Sequence, residues 1–233
     1  MFKNYFKIAF RNLQRQKVYS LINITGLAFG MMCTILISLW IMDELSYDKF
    51  HSNINTIYRV NSVLHRSNIV VEQHQTPSPL AGQLISTFPE IKNVTRFRKS
   101  ELLFQYQSKA FQEKNAVFAE PSFFEMFTFP LLKGDPKTAL SDVNSMVISE
   151  SMSEKYFGQE ESIGKTFIIN GKYEFRITGI VKDSPDNSTI KFDFLLSYNS
   201  IDDFFSDLSW DNFIINTYIL GSSCEFVHPI WHI

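Results

Sequence analysis

The sequence predicts an α+β protein in which a single N-terminal transmembrane helix precedes a folded domain of mixed strands and helices. Three observations support this prediction. Residues 18–42 contain no charged side chain, the residues after them change to short alternating strand patterns, and turn signals separate those strands. The chain has 233 residues, of which 45% are hydrophobic, so it is long enough and apolar enough to form a buried core.

The uncharged run has the length of a membrane-spanning helix. Its 25 residues reach roughly 37 Å at about 1.5 Å per residue, against a hydrocarbon core of about 30 Å. A cleaved signal peptide has an apolar middle of only about 7–15 residues and ends at a small-residue cleavage site. A buried helix of a soluble protein rarely lacks charge over such a length. We therefore predict an uncleaved transmembrane helix over 18–42.

Charge is distributed unequally about this run. Residues 1–42 carry five of the 22 basic side chains and no acidic one, whereas residues 43–233 carry 17 basic and 24 acidic side chains. Because basic residues favour the cytoplasmic side, this bias predicts a cytoplasmic N-terminus and a main domain outside the membrane. The near-neutral total charge gives no indication of nucleic-acid binding, so no nucleic-acid partner is predicted.

Residues 1–17 are predicted to form a cytoplasmic amphipathic helix. Aromatic side chains recur there at helical spacing beside a parallel row of basic side chains: Lys3, Lys7, Arg11 and Arg15. Such a helix lies along the inner leaflet with its cations at anionic lipid headgroups; the alternative is a simple extension of the spanning helix. Inside the span, Gly26 and Gly30 form a G-x-x-x-G pair, a pattern found where two membrane helices pack closely.

Among the residues that follow the span, the clearest predicted local structure is a β-hairpin over 165–182. Asn170-Gly171 is the preferred pair for a two-residue type I′ turn. After it, Tyr173, Phe175 and Ile177 alternate with charged residues, which predicts a strand with one solvated face.

Other local signals predict further elements. We expect a strand over 145–149, a helix over 150–157 ended by Gly158, and a helix over 80–88 that ends before Pro89. One aromatic cluster is predicted to belong to the core rather than to a ligand site; it consists of Phe123, Phe124, Phe127 and Phe129.

Two segments resemble ligand sites superficially. Residues 158–166 have the glycines and lysine of a phosphate-binding loop, but five residues instead of four separate Gly158 from Gly164. The segment is also predicted to follow a helix and precede a strand, which is the reverse of such a loop. In the tail, Cys224, His228 and His232 have the spacing of metal ligands on a helix, but Pro229 and the chain end argue against a helix there.

No catalytic residue, cofactor-binding residue or metal ligand is therefore predicted, and we do not expect an enzyme. The adjacent carboxylates, Asp202-Asp203 and Glu160-Glu161, are expected on solvated surface. The histidines before the tail show no partner pattern and are expected to be solvated or core residues: His51, His65 and His74. The cysteines, Cys33 and Cys224, do not indicate a disulfide framework.

Six stretches of the chain, in order, resemble MacB/FtsX-like ABC transporter permeases. The first three are 4–13, the Gly26–Gly30 stretch and Asp43-Glu-Leu-Ser-Tyr-Asp-Lys-Phe-His51. The later three resemble the periplasmic core domain of that family: 118–136, 153–166 and 178–194. Together they place the resemblance over residues 1–220.

The resemblance implies a permease subunit that couples a partner cytoplasmic ABC ATPase to an extracytoplasmic domain, for export or mechanotransmission. It implies a location in the cell inner membrane, with residues 43–220 as a MacB-like periplasmic core domain. Membrane lipid and other permease copies or helices, as in a dimer, are the further partners it implies. The alternative is a single-span extracytoplasmic binding or sensor module with no transport activity.

The C-terminal residues depart from the family pattern. Family members continue into at least three more spanning helices and a cytoplasmic loop that contacts the ATPase. Residues 221–233 instead form an atypical tail. We therefore expect a truncated member of the family.

Overall fold

The computed structural model describes residues 4, 5, 7, 8, 11, 15–66 and 69–221. The chain divides into two compact units, residues 1–47 and 48–233. The tail with Cys224, His228 and His232 lies outside the described residues, and so does much of the predicted amphipathic helix over 1–17.

The first unit contains one long helix, α1 (Lys17–Glu44), of 28 residues. An 18-residue window of this helix has a mean hydropathy of 2.0, and this value together with the helix length makes it a candidate to cross a membrane. The helix begins one residue before the predicted span and continues through Asp43 and Glu44. Within it, the Thr25 hydroxyl donates to the Leu21 carbonyl at 2.8 Å, which satisfies that hydroxyl without water.

The second unit alternates strands with short helices. Its strands are β1 (Ile57–Val60), β2 (Ser62–Arg66), β3 (Ile69–Gln73), β4 (Thr76–Pro77), β5 (Ile91–Tyr106), β6 (Lys109–Ala119), β7 (Leu131–Lys133), β8 (Ser145–Ser149), β9 (Thr166–Ile169), β10 (Tyr173–Val181), β11 (Phe194–Ser197) and β12 (Phe213–Gly221). Its helices are α2 (Leu80–Thr87), α3 (Phe123–Met126), α4 (Glu150–Phe157) and a 3-10 helix (Tyr198–Asp203).

Ten of these strands form one mixed sheet. Its main order is β1-β12-β5-β6-β11-β8-β10-β7, with β4 paired to β12 and β9 paired to β10 and β5. Most neighbours are antiparallel, but β6 with β11 and β8 with β10 are parallel. β2 and β3 form a separate hairpin. This arrangement confirms the predicted α+β class with one N-terminal apolar helix.

The predicted hairpin over 165–182 is confirmed as β9 and β10. Asn170 and Gly171 both have positive φ, 51° and 69°, as a type I′ turn requires. The strand alternation also holds, since Phe175 and Ile177 are buried while Glu174 and Arg176 are exposed. Local turn chemistry and side-chain alternation therefore sufficed to predict this element.

The helix predictions are confirmed as well. In α4, the Ser149 hydroxyl accepts from the Met152 N–H, and the helix ends at Gly158 with φ 63°. The strand predicted before it is β8, which is wholly buried. The predicted helix before Pro89 is α2, which ends at Thr87.

The core is rich in aromatic side chains packed on both faces of the sheet. Phe123, Phe127 and Phe129 are at most 5% exposed, and Phe124 is partly buried against the same cluster, which confirms the predicted aromatic core. On another part of the sheet, Phe104 and Phe194 are fully buried and stack with ring centroids 4.0 Å apart.

Candidate functional site

The start of the second unit is the best-defined candidate site. We call residues 48–53, which directly follow the first unit, the junction segment. It contacts two other parts of the second unit, the loop at Asn187–Thr189 and the segment around α3 that runs to Phe129. Because this is the point at which the chain enters the domain, its contacts determine how firmly the domain holds that chain.

Asp48 makes the first of these contacts. Its φ is 57°, a left-handed conformation that aspartate tolerates better than most residues. This geometry lets its backbone N–H donate to the Asn187 carbonyl at 2.9 Å, while its Oδ1 accepts from the Thr189 N–H at 2.9 Å. Asp48 therefore binds the loop with both its backbone and its side chain.

His51 lies deeper, with only 3% of the residue exposed. Its Nδ1 accepts from the Thr128 N–H at 3.0 Å, so the proton of the neutral ring lies on Nε2. Nε2 is buried without a hydrogen-bond partner and lies 3.9 Å from Asp48 Oδ1. Burial lowers the pKa of His51 below its ordinary 6.5, an effect that the Asp48 carboxylate opposes. The ring is therefore neutral at pH 7.

Aromatic rings enclose the imidazole. Its centroid lies 4.0 Å from that of Phe50, 5.3 Å from that of Phe127 and 5.2 Å from that of Phe129. Phe50 in turn packs against the edge of Phe129 at 5.7 Å. Apolar burial and edge-to-face packing thus add to the hydrogen bond that holds His51.

Ser52 and Asn53 complete the attachment. The Ser52 N–H donates to Thr128 Oγ1 at 2.9 Å. Asn53 Nδ2 donates to the carbonyls of Glu125 and Met126, both at 3.2 Å, and so satisfies carbonyls at the end of α3 that have no partner within the helix. The junction segment is thus bound to the rest of the second unit through Asp48, His51, Ser52 and Asn53.

The sequence contained a partial signal for this site. Residues 43–51, 118–136 and 178–194 were three of the stretches that carried the family resemblance, and the structure brings parts of all three together at the junction segment. Sequence reasoning expected His51 to be a solvated or core residue, and it is a core residue. Its specific partner, Thr128, was missed because nothing in the local pattern indicates a contact so distant along the chain.

The other residues considered from the sequence lie apart from this site. Residues 158–166 lie between α4 and β9, in the helix-then-strand order that was predicted. Glu160 pairs with Lys165 at 2.6 Å, and Glu161 pairs with Lys133 at 2.6 Å. Asp202 and Asp203 are exposed at the end of the 3-10 helix, and His74 is exposed. Among residues 15–66 and 69–221, histidine, cysteine, aspartate and glutamate form no group of three that could hold a metal ion.

Comparison with known proteins identifies the family. The model of the MacB-like periplasmic core domain matches residues 20–220. A domain from Porphyromonas gingivalis, described as part of a permease protein, has a TM-score of 0.62 and 23% identity over 77% of this chain and 80% of its own.

A second solved structure shares the fold. The periplasmic region of MacB from Actinobacillus actinomycetemcomitans has a TM-score of 0.54 and 20% identity over 74% of this chain and 77% of its own. No curated protein matches the sequence. Because the family model covers most of the chain, the protein belongs to the family defined by the MacB-like periplasmic core domain of ABC transporter permeases.

Proposed function

We propose that this chain is a permease subunit of a MacB/FtsX-like ABC transporter. In this proposal it couples a partner cytoplasmic ATPase to an extracytoplasmic domain, for export or mechanotransmission. The observation that carries the proposal is the attachment of the junction segment, in which Asp48, His51 and Asn53 are each bound to other parts of the domain. A displacement of the span then reaches the domain through bound residues instead of being absorbed by a flexible linker.

Charge and hydropathy support a location for this activity. α1 is long and apolar enough to span a bilayer, and basic residues precede it while Asp43 and Glu44 lie at its end. By the positive-inside rule, α1 then crosses the inner membrane with the N-terminus of the chain in the cytoplasm. In this orientation residues 43–220 lie outside, where an ATPase cannot contact them directly, so α1 is the part of this chain that can carry the coupling across the membrane.

Partner capture tests the transporter assignment. The tagged chain is crosslinked in its native host, purified from solubilised membranes and analysed by mass spectrometry beside an unrelated single-span protein with the same tag. We expect an ABC-type ATPase to be enriched with this chain and not with the control. Recovery of extracytoplasmic proteins without any ATPase would contradict the proposal and favour a single-span binding or sensor module.

Cysteine labelling tests the orientation. In a variant with serine at Cys33 and Cys224, one cysteine is introduced at Lys137, an exposed position of the second unit, or at Lys7 before the span. We expect a membrane-impermeant maleimide to label Lys137→Cys in cells with a permeabilised outer membrane, and to label Lys7→Cys only after lysis. The opposite pattern would show that the domain is cytoplasmic.

A further inference from the structure

The hydrogen bond between His51 and Thr128 can exist in only one protonation state of the ring. Nδ1 accepts the Thr128 N–H at 3.0 Å, so a proton bound at Nδ1 would face another N–H. Nε2 already carries the proton of the neutral ring. A second proton therefore requires the ring or the Thr128 backbone to move.

Among the described residues, no neighbouring group offers a free hydrogen-bond acceptor to a doubly protonated His51 ring. Asp48 is the carboxylate that faces the ring, but its Oδ1 lies 3.9 Å from Nε2 and already accepts the Thr189 N–H. Thr128 Oγ1 already accepts from Ser52 N–H. The remaining sides are the rings of Phe50, Phe127 and Phe129, which do not titrate.

One further titratable group lies behind this layer. Tyr218 packs edge-on against Phe127 with ring centroids 5.3 Å apart. Burial raises the pKa of Tyr218, although Arg59 opposes the effect, so the phenol stays neutral in acid. A charged imidazole would thus be held by a single carboxylate at 3.9 Å in an apolar surrounding, which does not offset its lost hydration.

We propose that acid on the extracytoplasmic side releases the junction segment from the domain by protonating His51, and so weakens the connection between span and domain. The inference rests on the proposed function for its physiological meaning, but the release itself is a property of the second unit alone. His51 would then act as a pH-sensitive latch on the coupling path.

The direction of the pH dependence follows from burial. The bound, neutral ring has a pKa below the ordinary 6.5, while the released ring has about that ordinary value. The attachment is therefore complete above about pH 6.5 and weakens progressively as the pH falls below it. At one pH unit below the pKa of the released ring, the equilibrium constant for release of the junction segment is up to about tenfold larger than at neutral pH.

Hydrogen exchange measures this release directly. The full chain in lipid nanodiscs is exchanged between about pH 7.5 and about pH 5.5 and corrected for the intrinsic pH dependence of exchange. We expect protection of the Thr128 amide and of residues 48–53 to fall by up to about tenfold over this range. Protection in β8, which is wholly buried, should stay unchanged.

Three variants separate the latch from general acid sensitivity. His51→Asn keeps an acceptor near the Nδ1 position but cannot titrate, so its protection should be independent of pH. His74→Asn removes an exposed histidine and should behave as wild type. Asp48→Asn keeps the acceptor for the Thr189 N–H but removes the charge that favours protonation of His51. The midpoint of its pH-dependent loss of protection should therefore shift to lower pH.

An equal loss of protection in His51→Asn and wild type would overturn the proposal, and so would constant protection in wild type. If His51→Asn fails to fold, equal midpoints in Asp48→Asn and wild type would overturn it. The outcome is independent of ATPase capture at neutral pH. The latch can therefore fail while the transporter assignment holds, and the transporter assignment can fail while the latch holds.

Discussion

At the scale of single residues, Gly134 shows most clearly why a particular side chain is required. Its φ of 95° lies in a region that L-residues rarely adopt. A Cβ added there would lie 2.6 Å from the Thr178 carbonyl oxygen and 2.9 Å from the Gly179 Cα, both backbone atoms of β10. Since neither atom can move without shifting the strand, only glycine permits this close approach of the chain after β7 to β10.

We therefore expect Gly134→Ala to lower the free energy of unfolding by about 3 kcal/mol, from backbone strain and overpacking together. Gly158→Ala is the matched control, since Gly158 also has positive φ, 63°, but open space around its Cβ position. The control carries only the strain of its backbone, φ 63° and ψ −120°, and should lose about 2 kcal/mol. Urea unfolding of the full chain in detergent, followed by circular dichroism, measures both. Equal losses would show that the contact with β10 contributes nothing.

At the scale of elements, the turn between β9 and β10 is bound to a third strand. Asn170 donates its N–H to the Leu103 carbonyl at 2.9 Å, and its Oδ1 accepts the Leu103 N–H at 3.0 Å. The same residue also tolerates the left-handed φ of 51°. One side chain thus serves the turn and fixes the register of the hairpin against β5.

Replacing Asn170 separates these two contributions. Asn170→Ala should lower the free energy of unfolding by about 2 kcal/mol, because it loses the bond to Leu103 and strains the backbone. Asn170→Gly relieves the strain and loses only the bond, so we expect a loss of about 1 kcal/mol. The same urea titration compares the two variants. A glycine variant as unstable as the alanine variant would show that strain is not part of the cost.

Elements of this kind were predictable because their signals are local. Asn170-Gly171 specifies its own turn, and Gly158 specifies the end of α4. The pairing of β1 with β12, which joins Ile57 to Leu220, has no such signal because its two halves come from opposite ends of the unit. The bond of His51 to Thr128 was hidden for the same reason. The sequence could show that these segments resemble a family, but not that they meet.

At the scale of the whole molecule, the pairing of β1 with β12 connects the start of the second unit with its last described strand. The chain enters the unit at residues 48–53, and its first strand lies beside its last described one. β12 in turn pairs with β5, the longest strand of the sheet. The edge strand β1, which follows the junction segment, is therefore joined through β12 to β5 by continuous backbone hydrogen bonds.

The strongest test of the proposed coupling through the junction segment is to lengthen the chain between the span and the domain. We expect insertion of about six glycine and serine residues between Tyr47 and Asp48 to leave the domain folded, because every contact of the junction segment lies after the insertion. It should also leave ATPase capture unchanged, since the span is intact. What should disappear is any nucleotide-dependent change in hydrogen exchange at residues 122–130 in the reconstituted complex.

The same insertion between Gln159 and Glu160, in an exposed loop, is the control and should preserve that response. A nucleotide response that survives the first insertion would show that coupling reaches the domain by another route, through partner subunits instead of through this chain.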